Sequence, residues 1–184
     1  MSTKKYAIMG DVHGNLEALE AVLEDAQSQG VNSYVCVGDI VGYNANPAEC
    51  LDIMRDLGAV AVCGNHDHYC CHEESLEDFH PLAAGVVAWT REQLTDAQLQ
   101  YLRDLKMVAT LDGFSIVHST LDMPEKWGYV FDTLEANANF TYQATSLCFH
   151  GHTHVPVLYE KQGTVRKNTY VKQRIMLGTK YFIN

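Results

Sequence analysis

Nine side chains in this sequence have the types and the spacing to do metal chemistry. They are Asp11 and His13, Asp39, the run Asn65-His66-Asp67, His118, and the pair His152 and His154. Carboxylate, imidazole and amide groups offer oxygen and nitrogen donors, a set that suits Mn²⁺, Fe, Zn²⁺, Co²⁺ or Ni²⁺ without any thiolate. Each group taken alone is a weak sign. Asp-x-His and Gly-Asp are common turns, Gly-Asn-His-Asp reads equally as a polar turn, and two histidines around Thr153 suit an exposed loop. The remaining histidines carry less. His68, His72 and His80 lie in polar stretches and read as surface residues, and His150 ends an apolar run and reads as a packed one.

What joins the nine is where the chain places them. Residues 5–9 are a short apolar run ending at Gly10, which reads as a buried strand. Asn15 caps a helix whose Leu16, Leu19, Val22, Leu23 and Ala26 recur at helical spacing, and Gly30 ends it. Residues 33–37 form a second strand before Gly38-Asp39. Pro47 opens a helix over 48–57, and 59–63 form a third strand before Gly64-Asn65. The β-α-β-α-β order with short connections signals an α/β sheet. Residues 81–94 read as a helix. Thr95 caps another, with Ala97, Leu99, Leu102 and Leu105 facing inward. Asp112-Gly113 joins strands 108–111 and 114–117 in a hairpin. A helix over 132–145, a strand over 146–150, a hairpin of 155–161 and 164–167 turning at Gly163, and a strand over 180–183 complete the reading. The donors therefore follow strand ends, and in an α/β sheet ligands bind at the carboxyl ends of strands. Five such ends bring metal-type donors to one edge, most of them beside a glycine that permits close approach of the backbone.

Composition narrows the class. The chain has 184 residues, 13 Lys and Arg against 23 Asp and Glu, and a formal charge of −10. Length and an apolar share of 47% suit one packed domain spanning 1–184. The acidity repels polyanions, so extended nucleic acid is disfavoured as a partner, while a small phosphorylated substrate is allowed because bound cations reverse the sign locally. No run approaches the roughly 20 apolar residues of a membrane helix. The first residues show no signal peptide, so the expected location is the cytoplasm. Cys36, Cys50, Cys63, Cys70, Cys71 and Cys148 show no CxxC pair, which argues against a zinc ribbon. They read as reduced thiols, with Cys36, Cys63 and Cys148 packed in strands. The sequence leaves the oligomeric state open.

The motifs Gly10-Asp11-Val12-His13-Gly14, Gly38-Asp39-Ile40-Val41-Gly42, Gly64-Asn65-His66-Asp67, Val117-His118 and Gly151-His152-Thr153-His154 resemble, in order, those of the calcineurin-like metallophosphoesterase superfamily. The resemblance implies an α/β fold, a four-layer α-β-β-α sandwich of two packed mixed β-sheets. It implies two divalent metals. Asp11, His13 and His154 would hold the first, Asn65, His118 and His152 the second, and Asp39 would bridge them. His66 would stand beside the metals and act on the leaving group, with Asp67 orienting His66 or a ligand. The activity implied is hydrolysis of small phosphomonoesters or phosphodiesters, with hydroxide bridging the metals as nucleophile.

Two departures refine this. Protein Ser/Thr phosphatases of the superfamily carry Asp and Arg where this chain has Gly42 and Tyr43. That counts against the protein-phosphatase and symmetrical dinucleotide tetraphosphatase branches and favours the small prokaryotic phosphoesterase type. Relatives of that type usually continue beyond a strand like 181–184 with a Pro-Gly-Ser segment and at least one more strand, so a domain lacking its last strands is expected. The alternative function is a metal-binding, weakly active or non-catalytic scaffold for protein interaction. A nuclease is disfavoured by the acidity and by the lack of a basic stripe. Residues 70–79 and 122–132, with Trp127 and Tyr129, are the candidate pocket walls.

Overall fold

The computed structural model describes residues 4–77, 81–169 and 173–184. His80 and the end of the 70–79 wall lie outside the described residues. Strands β1 (Tyr6–Met9), β2 (Ser33–Cys36) and β3 (Val60–Ala61) form a three-stranded parallel sheet with β2 in the centre. Helices α1 (Leu16–Ser28) and α2 (Pro47–Asp56) make the crossovers. The Asn15 side chain accepts from the Ala18 amide at 3.1 Å, the cap expected from sequence. Helical crossovers bring successive strands back in the same direction, which is why this sheet is parallel rather than mixed.

Three further helices follow: α3 (Asn65–Cys71), α4 (Pro81–Gln93) and α5 (Asp96–Arg103). Asn65, His66 and Asp67, which follow the third strand, form the first turn of α3. At α5 the Thr95 cap is as expected. The inward face differs, since Ala97 is exposed while Gln98 is buried. The Gln98 side chain is drawn in by hydrogen bonds, accepting from the Thr95 amide and donating to the Ala48 carbonyl.

Six strands make the second sheet, in the order β4 (Val108–Leu111), β5 (Phe114–Val117), β6 (Leu147–Phe149), β9 (Lys180–Ile183), β7 (Leu158–Gln162) and β8 (Thr164–Asn168). It is mixed, with parallel pairs β5–β6 and β6–β9 among antiparallel ones. Helix α6 (Thr133–Tyr142) packs on its outer face.

Period-two alternation sorts the side chains into layers. Val35 and Val37 point between the sheets, where they meet Phe114 and Ile116, while Cys36 points into the helical layer with Leu51 and Met54. On the other side Val117, Cys148 and Phe182 pack under Ala136 and Phe140 of α6. The result is the expected four-layer α-β-β-α sandwich. No described helix is long and apolar enough to cross a membrane. All six cysteines are free and buried.

Candidate metal centre

The loops that leave β1, β2, β3, β5 and β6 meet above the two sheets, and they do so in strained backbone. Among the described residues, the non-glycines at positive φ are Asp11, His13, Asp39, Tyr43, Trp127, His152 and His154. Five are expected ligands, and the other two touch them. The left-handed region costs roughly 1–2 kcal/mol per residue for a side chain with a Cβ, less for Asp. Strain gathered at one place marks a site whose geometry is fixed by something other than local preference.

All seven expected ligands converge. The donor atoms of Asp11, His13 and His154 lie within 4.8 Å of one another, as do those of Asp39, His118 and His152. His13 Nε2 stands 3.2 Å from His154 Nε2, and His154 Nε2 stands 3.5 Å from Asp11 Oδ1. The Asn65 amide oxygen is 3.0 Å from His118 Nε2. Asp39 Oδ2 lies between the two groups, 3.5 Å from His13 Nε2 and 3.3 Å from His118 Nε2.

Main-chain carbonyls set the imidazoles. His13 Nδ1 faces the Val41 carbonyl at 3.2 Å and His118 Nδ1 faces the Val37 carbonyl at 2.9 Å. A carbonyl only accepts, so each Nδ1 donates and each neutral ring presents its Nε2 lone pair to Asp39. His152 is turned the other way, with Nε2 donating to the Trp127 carbonyl at 2.9 Å, which leaves Nδ1 free to coordinate. Lone pairs and carboxylate oxygens thus face one another in a buried space, an arrangement that needs positive charge. Without a metal a proton has to supply it. Burial pulls the His118 imidazolium down, but Asp39 beside it and Asp11 outweigh burial and push it up to about 9. Burial also opposes the Asp39 charge, yet His118, His13 and His66 hold its carboxyl well below the usual range. The donor set fits divalent cations.

For Asp67, which the resemblance implies orients His66 or a ligand, the structure supplies the contacts, and they are to main chain. Its carboxylate accepts from four amides: Asp39 at 2.8 Å, Ile40 at 2.9 Å, Val41 at 3.1 Å and Gly64 at 3.0 Å. It therefore ties the loop carrying Asp39 to the start of α3. Burial and the Asp39 charge push its carboxyl up to about 7, and the amides oppose them. Asp39 Oδ1 in turn accepts from the His66 amide at 2.9 Å. Gly64 has to be glycine, because a Cβ there would overlap the Asp39 carboxylate.

His66 is buried against Gly42, where a Cβ would stand 2.5 Å from His66 Nδ1. That nitrogen has no hydrogen-bond partner among the described residues. Burial lowers the His66 pKa, and Asp39 opposes it. The His66 ring also comes within ligand reach of His13 and Asp39. Tyr43 covers it, with ring centroids 4.3 Å apart, and packs on His13 at 4.7 Å.

Of the candidate walls, Tyr129 stacks on His152 at 4.2 Å and 23°, and Trp127 contributes its main chain. His150 is packed as expected, stacked on Phe182 at 4.0 Å. His68 and His72 are half-buried rather than on the surface, their rings 4.4 Å apart, with His68 bonded to Glu74 at 3.0 Å. Sequence reasoning passed over Asn184, whose amide donates to the Gly151 carbonyl and to Thr153 Oγ1 and braces the loop carrying His152 and His154.

The chain is similar to known proteins. The model of the calcineurin-like phosphoesterase superfamily domain matches residues 5–171. An uncharacterized protein of Methanocaldococcus jannaschii is 36% identical over 163 residues, 86% of this chain and 66% of that protein. A symmetrical bis(5′-nucleosyl)-tetraphosphatase of Psychromonas ingrahamii is 41% identical over 63 residues, 33% of this chain and 23% of that protein. The chain thus spans less than two thirds of the length of either curated relative. The crystal structure of a metallophosphoesterase from Sphaerobacter thermophilus, 36% identical, superposes with a TM-score of 0.85 over 100% of this chain and 76% of that one. With the family model covering nearly all of it, the chain belongs to the calcineurin-like phosphoesterase superfamily.

Proposed function

We propose that the chain is a phosphoesterase using two divalent metals to hydrolyse small phosphomonoesters or phosphodiesters. One observation carries the reading: a single oxygen, Asp39 Oδ2, lies between the Nε2 atoms of His13 and His118, each ring oriented by a carbonyl behind it. In this reading Asp11, His13 and His154 hold one cation, Asn65, His118 and His152 the other, and Asp39 bridges them. The bound cations supply Lewis acidity towards the phosphate and lower the pKa of water.

The chain's own residues do the rest. Asp67 fixes the backbone of Asp39, Ile40 and Val41, so that the bridging carboxylate keeps its place without moving during turnover. His13 and His118 are held in the tautomer that coordinates through Nε2, and His152 in the one that coordinates through Nδ1. His66 stands at the centre, and among the described residues its Nδ1 has no partner, so Nε2 is the nitrogen left to face the leaving oxygen; as the imidazolium it can pass the Nε2 proton to that oxygen and return to the neutral ring. Tyr43 covers the His66 ring and limits the approach of water to it.

The test uses metal-depleted protein reloaded with Mn²⁺, Fe²⁺, Zn²⁺, Co²⁺ or Ni²⁺ and assayed on an aryl phosphate and a bis-aryl phosphate. Metal-dependent turnover of either is expected. Absence of turnover with every metal on a broad panel of phosphoesters would refute the assignment. His66→Ala should lower kcat by about 10²–10⁴ while both metals stay bound. Loss of a metal in that variant would make His66 a ligand instead.

A further inference from the structure

Beside His66 the surface opens into a groove that the metal chemistry does not use. Tyr43 forms one end, held there in left-handed backbone at φ 62°. Its ring abuts His66 on one side and is half exposed on the other. From Tyr43 the groove runs past Asn44 and Ala45 to α4, where Gly85, Val86 and Trp89 form the facing wall. The cavity is about 500 Å³, within the size that small-ligand sites occupy.

No charged side chain lines it among the described residues. Its polar side-chain groups are the Tyr43 hydroxyl, the Trp89 indole N–H and the Asn44 amide, and the last already donates to the His13 carbonyl at 3.0 Å. The described lining therefore offers a charged substituent no counter-charge and a hydroxyl-rich one few partners. Two half-exposed aromatic rings, Tyr43 and Trp89, can receive a flat apolar group by stacking or edge contact.

Position supplies the role. A phosphate held by the cations would present its leaving oxygen to His66, and the Tyr43 ring beside His66 places the groove next to the group attached to that oxygen. Resting on the phosphoesterase reading above, we infer that the groove between Tyr43 and α4 is the leaving-group subsite, and that it selects a planar, uncharged aromatic group. Gly42 belongs to the same design. With no side chain at 42, His66 can lie against the loop and Tyr43 can close over it.

Binding separates selectivity from intrinsic reactivity. The full chain loaded with Mn²⁺ would be titrated calorimetrically with phenylphosphonate and with methylphosphonate, whose P–C bonds are not hydrolysed. The phenyl compound should bind about tenfold more tightly. Trp89→Ala removes the facing ring. Gly85→Leu fills the groove from a helix position where a Cβ meets nothing within 4 Å and where leucine is a better helix former than glycine, and unchanged circular dichroism checks its fold. Both should bring the preference to near one with metal content unchanged. Equal binding of the two phosphonates by the wild type, or a preference that survives both variants, overturns the subsite while aryl phosphate hydrolysis, assayed alongside, leaves the phosphoesterase reading intact. A preference that is lost in both variants, in a protein that hydrolyses no ester, overturns that reading and with it the leaving-group role.

Discussion

Replacing Asp67 with Asn is the sharpest test of how the centre is held. Each carboxylate oxygen of Asp67 accepts from two amides, Oδ2 from Asp39 and Gly64, and Oδ1 from Ile40 and Val41. Asparagine keeps the shape but turns one oxygen into an NH₂ donor. Whichever way it is oriented, two buried amides then face a donor. A buried donor left without an acceptor costs about 1–3 kcal/mol, so the pair costs about 2–6 kcal/mol. That is a large part of the 5–15 kcal/mol that typically holds a domain. The same change frees the backbone beneath Asp39, and loss of such a supporting partner typically weakens metal affinity by about 10–100-fold. Urea denaturation of the metal-free variant measures the first effect, and metal titration of the folded variant measures the second. A D67N protein with wild-type urea midpoint and wild-type metal affinity would refute the clamp, because it would mean that no ionised carboxylate holds the four amides.

Three other outcomes follow from the same geometry. Gly42→Ala puts a Cβ 2.5 Å from His66 Nδ1 at φ 94°, so it should displace the ring and lower kcat at least tenfold while metal analysis still finds two ions; unchanged kcat would show that His66 is not held against this loop. Chelation should lower the melting temperature, and readdition of Mn²⁺ at 100 times its Kd should return about 2.7 kcal/mol, read from urea curves; curves identical with and without metal would count against a folded-state metal site. Phe182→Ala empties a fully buried position beneath α6 and should cost about 3–5 kcal/mol in urea denaturation, whereas a change below 1 kcal/mol would contradict the packing of that layer.

The sequence was most legible where chemistry and backbone coincide. Asp11, Asp39, Asn65 and His152 each follow a glycine after a strand, so residue type and position spoke together. The apolar alternation of 33–37 and 114–117 gave strands close to those observed. Reading failed where the deciding partner is a main-chain atom or lies far along the chain. An orienting role for Asp67 was expected from the resemblance, but it reaches back 28 residues to Asp39, and nothing at position 67 reveals the amides it accepts from. Trp127 holds His152 through a carbonyl that any residue would offer. Helix α3 carries the run Asn-His-Asp-His-Tyr-Cys-Cys, which has no apolar period, and tertiary contacts rather than propensity form it. Gln98 turns inward and Ala97 outward because hydrogen bonds, not hydropathy, decide that face. The departure at Gly42-Tyr43 was visible as a missing pair, but its positive content, a ring closing over His66, required coordinates.

The seven left-handed non-glycine positions have a consequence for how the molecule comes together. An unfolded chain visits those conformations least, so the two sheets and their helices can assemble before the rim between them does. The rim is then the last part to form and the first to loosen, and the ions that serve chemistry also serve as the final folding ligand. Mutations that relax these positions towards ordinary backbone should make a sturdier scaffold and a poorer catalyst, so selection for thermal stability alone would erode this site before it touched the core.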